Sequence, residues 1–195
     1  MNHLAHLFLS GQNDKWMVGN FIADAVKGKK YQLYDREIAN GILIHRLIDT
    51  FTDGHELVRH SKSLLRPKYG LYAGVLVDMF YDHVLARNWT TYHSVPLASF
   101  AENAYRIFHL YFEILPDRNK VMLTYMQREN WLVNYSHLQG IERSLKGLSR
   151  RIRNNPGIDK AAWDLSLHYE QLKLDFEKFF PSLIRHVEGA SLNMT

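Results

Sequence analysis

Three residues fall in register within the stretch His-Arg-Leu-Ile-Asp-Thr-Phe-Thr-Asp: His45, Asp49 and Asp53, at i, i+4 and i+8. On a helix they lie along one stripe. The segment is otherwise apolar, with Ile42, Ile44, Leu47 and Ile48. An imidazole and a carboxylate buried there need partners. A divalent cation is one partner; a helix cap with an ion pair to Arg46 or Arg36 is the other. Asp53, beside Gly54, suits a cap or turn. The theme recurs in Leu-Val-Asp-Met-Phe-Tyr-Asp-His-Val-Leu, where Asp78 and Asp82 stand at i and i+4 and His83 follows. Two carboxylates this close repel unless a cation or a proton lies between them. The alternative is that Asp82 orients a histidine in a polar core network. Asp24 lies between Ile22, Ala23 and Ala25, and His6 lies in an apolar N-terminal stretch. Alone, His6 reads as a satisfied core histidine. Mixed imidazole and carboxylate without thiolate suits Mn²⁺, Fe²⁺, Mg²⁺ or Zn²⁺. A cation held this way polarises a phosphoryl oxygen and lowers the pKa of a bound water, which points to phosphate-ester hydrolysis. There is no H-E-x-x-H, so a zincin is excluded.

The elements that must carry these residues are helices. Apolar residues recur at helical spacing over Trp16–Val26, Asp35–Thr52, Gly70–Trp89 and Leu97–Ile114. Gly19-Asn20 reads as a helix start before Asp24, and Gly28 as a stop. Leu57–Leu65 is a short amphipathic segment ending at Pro67. Lys120–Asn130 and Ile141–Asn154 continue the pattern, and Asn154-Asn155-Pro156-Gly157 is the clearest break. Lys160–Phe180 reads as a long helix that Pro181 stops, with a short tail helix over Ser182–Glu188 and a frayed end from Gly189. The expectation is an all-α, single-domain bundle of about seven or eight helices over residues 1–195.

The 195 residues suffice for one domain with a proper core. With 46% hydrophobic and 23% charged residues, the chain is neither disordered nor of low complexity. The absence of cysteine excludes a disulfide framework, thiol catalysis and Cys-based zinc sites. The first ten residues lack signal-peptide features, and no apolar run is long enough to span a membrane, so a cytoplasmic protein without a membrane partner is expected. The net charge of +4 is compatible with an acidic partner. Arg143, Lys146, Arg150, Arg151, Arg153 and Lys160 face only Asp159 in their stretch. Arg59, Lys62, Arg66 and Lys68 form a second cluster, and Lys27, Lys29 and Lys30 a third. Each is also readable as a solvated helix face. No nucleic-acid-binding motif is present, and no nucleic-acid partner is expected.

Four motifs then occur in order: Asn2-x-Leu-Ala-His6-Leu, Gly19-Asn-x-x-x-Asp24, Gly41-Ile-x-x-His45-Arg-x-Ile-Asp49-x-Phe-Thr-Asp53-x-His55, and Asp78-x-x-x-Asp82-His83-x-Leu-Ala-x-x-Trp89. With Glu129-x-Trp131-Leu-Val-x-Tyr135 and Leu148-Ser-Arg150-Arg151, they resemble the acyl carrier protein phosphodiesterase family over nearly the whole chain. That resemblance implies an HD-like all-α fold. It implies removal of the 4'-phosphopantetheine arm from the serine of holo-acyl carrier protein, an acidic substrate, with a divalent metal, typically Mn²⁺. In the usual HD pattern the adjacent pair is His-Asp; here it is Asp82-His83, reversed. The expected ligands are Asp24, His45, Asp49, Asp78 and Asp82, followed by His83 and His6. His6 or His83 is the expected general acid, and Arg46 the expected balance for phosphate charge. His3, where the family often has an aromatic residue, is set aside as a ligand. Two other readings stay open: an HD-like phosphohydrolase of nucleotides or small phosphoesters, and a non-enzymatic helical binding module.

Overall fold

The computed structural model describes residues 1–153, 155–192 and 194. Among the described residues there are eleven α-helices and no strand: α1 (His3–Phe8), α2 (Asp14–Ile22), α3 (Arg36–Gly54), α4 (Glu56–Tyr69), α5 (Ala73–Arg87), α6 (Trp89–Tyr92), α7 (Leu97–Leu110), α8 (Asp117–Arg128), α9 (Trp131–Asn134), α10 (Leu138–Ser149) and α11 (Ala161–Ser191). The all-α expectation holds, but the helices number eleven, not about seven or eight, because α1, α6 and α9, of four to six residues, are too short to show a helical period. Short 3₁₀ turns, including Ala23–Ala25 and Gly28–Leu33, link them. No helix among the described residues is long and apolar enough to cross a membrane.

α5 is the central element. Leu76, Val77, Phe80, Tyr81, Val84 and Leu85 are all completely buried, so the helix is apolar nearly all round, as a core helix must be. α2 and α3 start where side chains cap them. Asn13 accepts from the Trp16 amide at 3.0 Å, and Asp35 accepts from the Glu37 amide at 3.0 Å. The two helices then cross backbone to backbone. A Cβ on Gly19 would lie 2.0 Å from the Ile38 carbonyl oxygen, and one on Gly41 would lie 2.2 Å from that of Trp16. Gly19 is therefore a contact inside α2, not the helix start read from the sequence.

Two prolines do not end their helices. α4 continues past Pro67 to Tyr69, and α11 runs through Pro181 as one helix instead of stopping there before a separate tail. The reason is burial. Leu172, Phe176, Phe179, Phe180, Leu183 and Val187 line one stripe of α11 on both sides of Pro181. Each such side chain contributes about 1.5–3 kcal/mol, which outweighs a proline cost of about 3 kcal/mol. A polar clamp fixes α11 to its neighbours. The buried carboxylate of Asp175 accepts from Ser61 at 2.7 Å and His60 at 2.8 Å on α4, and the Tyr81 hydroxyl of α5 lies 2.9 Å from Ser61. The expected helix end at Asn154 lies outside the described residues; α10 itself ends at Ser149.

Candidate metal centre

The crossing of α2 and α3 brings the end of α2 and the turn after it against the middle of α3. α1 packs on α2 and α5, and its His6 reaches α3. At this junction is a cleft of about 300 Å³ lined by His3, His6, Asp24, His45, Asp49 and Asp78, together with Met1 and Asp53. Five of the eight residues expected from the sequence therefore meet.

At its centre, donor atoms of His6, His45 and Asp49 all lie within 4.8 Å of one another. The Asp49 carboxylate stands between the two imidazoles, with His6 Nε2 at 3.2 Å from one oxygen and His45 Nε2 at 3.2 Å from the other. The rings stack with centroids 4.0 Å apart. Asp24 approaches His45 Nε2 to 3.8 Å from the far side. Asp78 accepts from the Met1 amino group at 3.1 Å. Burial opposes that amino group's charge, but Asp78 and Asp49 outweigh it and raise its pKa.

The imidazole orientation is set by a residue the sequence reading took for a helix start. His45 Nδ1–H donates to Asn20 Oδ1 at 2.8 Å, which leaves Nε2 facing the cleft. The Asn20 amide cannot turn over, because its NH₂ donates to the His6 carbonyl at 2.8 Å and to Ser10 Oγ at 3.1 Å. Asn20 thus ties both histidines together from behind. Its sequence signal was a single amide inside an otherwise apolar buried run, Val18 to Ile22.

The electrostatics follow from the packing. Burial, with the neighbouring His45, pushes the His6 pKa down to about 3. His45 is also disfavoured as a cation by burial, but hydrogen bonds to Asp24 and Asp49 dominate and raise it to about 9. Burial works against the charge of Asp49, yet hydrogen bonds from His45 and His6 hold its carboxyl well below the ordinary range. The His45 contact draws Asp24 down to about 2. The cluster is thus one imidazolium between two carboxylates, with a neutral imidazole beside it. These residues fit a divalent cation. Two nitrogens and a carboxylate converge, one imidazole is backed by an amide as metal-binding histidines are, and His6 Nδ1 is buried without a partner among the described residues.

The remaining three expected residues lie elsewhere. Asp82 is fully buried and faces the first turn of α1, where its oxygens accept from the Leu4 amide at 2.7 Å and the Ala5 amide at 3.1 Å. Burial pushes its carboxyl up to about 7, against the pull of those two donors. His83 is buried with Nδ1–H donating to the Tyr135 carbonyl at 2.7 Å, and its ring meets Tyr169 edge-on. Arg46 donates to the Val26 carbonyl at 2.8 Å and lies over the Tyr31 ring, tying α3 to the turns after α2. His3, set aside from the sequence, lines the cleft beside Asn2.

Residues 1–183 match the family described as acyl carrier protein phosphodiesterase. The acyl carrier protein phosphodiesterases of Enterobacter sp. (strain 638) and Klebsiella pneumoniae (strain 342) are 32% and 33% identical to this chain, over 98% of it and the whole of theirs. That of Photorhabdus laumondii is 31% identical over 97% of this chain and 96% of its own. No solved structure matches. Because the match spans nearly the whole length and takes in every element around the cleft, the chain belongs to the acyl carrier protein phosphodiesterase family.

Proposed function

We propose that this chain hydrolyses the phosphodiester joining 4'-phosphopantetheine to the serine of holo-acyl carrier protein, releasing apo-acyl carrier protein and 4'-phosphopantetheine. The reading rests on one coincidence: a three-donor cluster, His6, His45 and Asp49, in an open cleft of a chain whose family is named for this activity. These three would hold a divalent cation, with Asp24 and Asp78 adding carboxylates at the rim; Mn²⁺ is the first choice. When bound, such a cation supplies Lewis acidity toward a phosphoryl oxygen and a lowered pKa for water.

The chain's own residues do the rest. Asn20 keeps His45 Nδ1 protonated and its Nε2 turned to the cleft. Asp82 holds the first turn of α1, and so fixes His3 and His6 as positioning support. The leaving serine oxygen needs a proton. His83 is walled off from the cleft and His6 is engaged with Asp49; His3 lines the cleft, but burial lowers its pKa to about 4, so it donates this proton only where the charge of the bound diester restores its protonated form.

The test is the intact mass of holo-acyl carrier protein after incubation with this protein and Mn²⁺. The expected result is loss of the phosphopantetheine mass, abolished by a chelator and by His45→Ala. An unchanged carrier mass with metal-loaded, folded protein would overturn the reading and redirect the search to nucleotides and small phosphoesters.

A further inference from the structure

The cleft does not end at its histidines. Through Asn2, His3 and Asp24, which line both, it opens into a groove of about 780 Å³ between α8 and the end of α10. That is within the roughly 300–1,000 Å³ usual for small-molecule sites. One wall is a face of α8 carrying Arg118, Val121, Met122 and Tyr125, spaced as one helix stripe. The other is Trp131, Leu148 and Ile152, with Arg151 at the edge. Val121 is 59% exposed and Tyr125 45%, although Arg128 lies over the Tyr125 ring, so among the described residues much of this apolar stripe faces open space.

A third hollow shares Tyr125, Trp131 and Arg151 with the groove and is edged by Arg143, Lys146 and Arg150. Those three are exposed and spaced i, i+3, i+7, so α10 and its end present a single cationic edge. Among the described residues, none of Arg118, Arg143, Lys146, Arg150 and Arg151 forms an ion pair within the chain. The acid on this edge, Glu129, is already held by Arg128 at 2.8 Å and by the Trp131 indole N–H at 3.1 Å. Cations gathered around a single acid, itself shared with Arg128, raise the energy of the free protein and favour an anionic surface brought against them.

We propose that this cationic edge of α10 docks an acidic carrier protein and that the apolar groove beside it receives the carrier's flexible arm, with the phosphodiester over the metal cleft. The inference rests on the function proposed above and assigns the surface by which the substrate is recognised. The groove's aliphatic side chains, Val121, Met122, Leu148 and Ile152, suit a flexible chain better than stacked bases. A further hollow lined by Asn2, His3, Arg143 and Arg151 joins the edge directly to the cleft, so the acidic partner, the phosphate at its serine and the arm beyond match the edge, the cleft and the groove, with the arm's methylenes on the apolar wall and its amides toward Asn2 and Arg118.

The experiment is titration of holo- and apo-acyl carrier protein into the chelated, turnover-free protein at low and at physiological salt. Arg143→Glu combined with Arg150→Glu is expected to weaken binding at least about tenfold and to remove most of its salt dependence. Lys178→Glu with Arg185→Glu, which line neither cleft nor groove, should bind as wild type does. Val121→Asp, at an exposed position, should abolish the preference for holo- over apo-carrier. Hydrolysis of a small synthetic phosphodiester should be the same in wild type and in the Lys178→Glu, Arg185→Glu control. Wild-type binding by the α10 reversal, an equal loss in the α11 control, or tighter binding of an oligonucleotide at this edge would overturn the proposal. Binding of the carrier without hydrolysis would sink the proposed reaction and leave the docking surface standing. Hydrolysis of holo-acyl carrier protein unaffected by the α10 reversal would do the opposite.

Discussion

The amide of Asn20 decides which nitrogen of His45 is offered to the cleft, and it does so with every polar atom engaged. Asn20→Ala leaves the His6 carbonyl and His45 Nδ1 without these partners and lets the His45 ring turn. A loss of about 10–100-fold in metal affinity is expected, as for other groups that orient a ligand. A stability loss of about 1–3 kcal/mol should accompany it. Calorimetric Mn²⁺ titration and urea unfolding measure the two, and unchanged affinity would remove Asn20 from the site's support. The stacked imidazoles make a second prediction. His6 falls from 6.5 to about 3, so its contribution is complete above pH 6.5 and is lost as pH drops toward 3. His45 rises from 6.5 to about 9, so its contribution is complete below pH 6.5 and is lost as pH climbs through 9. Their sum peaks near 6.5, with limbs of at most about 1.4 kcal/mol per pH unit per proton; Asp82, raised to about 7, opposes the acid limb by one proton between about pH 4 and 7, and His3, lowered to about 4, restores it. Urea unfolding of the chelated protein across this range should trace that peak. Added Mn²⁺, which requires neutral His45, should flatten the alkaline limb. A profile without a maximum would show that the two rings do not divide one proton this way.

At the scale of elements, the site depends on how closely α2 meets α3. Alanine normally favours a helix over glycine by about 1 kcal/mol. At Gly41 the added carbon would sit 2.2 Å from a backbone oxygen that cannot swing away. Gly41→Ala is therefore expected to cost at least about 2 kcal/mol and to move Asn20 and Asp24 away from His45, weakening Mn²⁺ binding as well. Gly147→Ala on α10 has open space and should be neutral or stabilising by up to about 1 kcal/mol. Equal effects at the two positions would refute a packing role for Gly41. This scale also explains what the sequence made legible and what it hid. His45 and Asp49, one turn apart, do share the cleft. Asp78 and Asp82 have the same spacing, but four residues advance the chain about 6 Å along the axis. That step carries Asp82 past the cleft and under the amides of α1. Turn spacing predicts a shared face, not a shared partner. Asn20 was hidden because its value lies in contacts with residues distant in sequence, and local glycine-asparagine chemistry suggested a helix start instead.

Across the molecule, the helical periodicity was enough to read the class and most elements. The prolines misled because local backbone cost was weighed without the aromatic stripe of α11 that spans Pro181. The two working parts of the molecule come from different lengths of chain. The donors of the cleft lie between His6 and Asp78, whereas the groove walls and the cationic edge lie largely between Asp117 and Ile152, and they meet at Asn2, His3, Asp24 and Val75. Such a division lets selection act on the two independently. Drift in the later stretch would retune which carrier the proposed docking surface accepts while the donor cluster stays fixed. A chimaera exchanging that stretch with a relative's would inherit the donor's appetite and keep the recipient's chemistry.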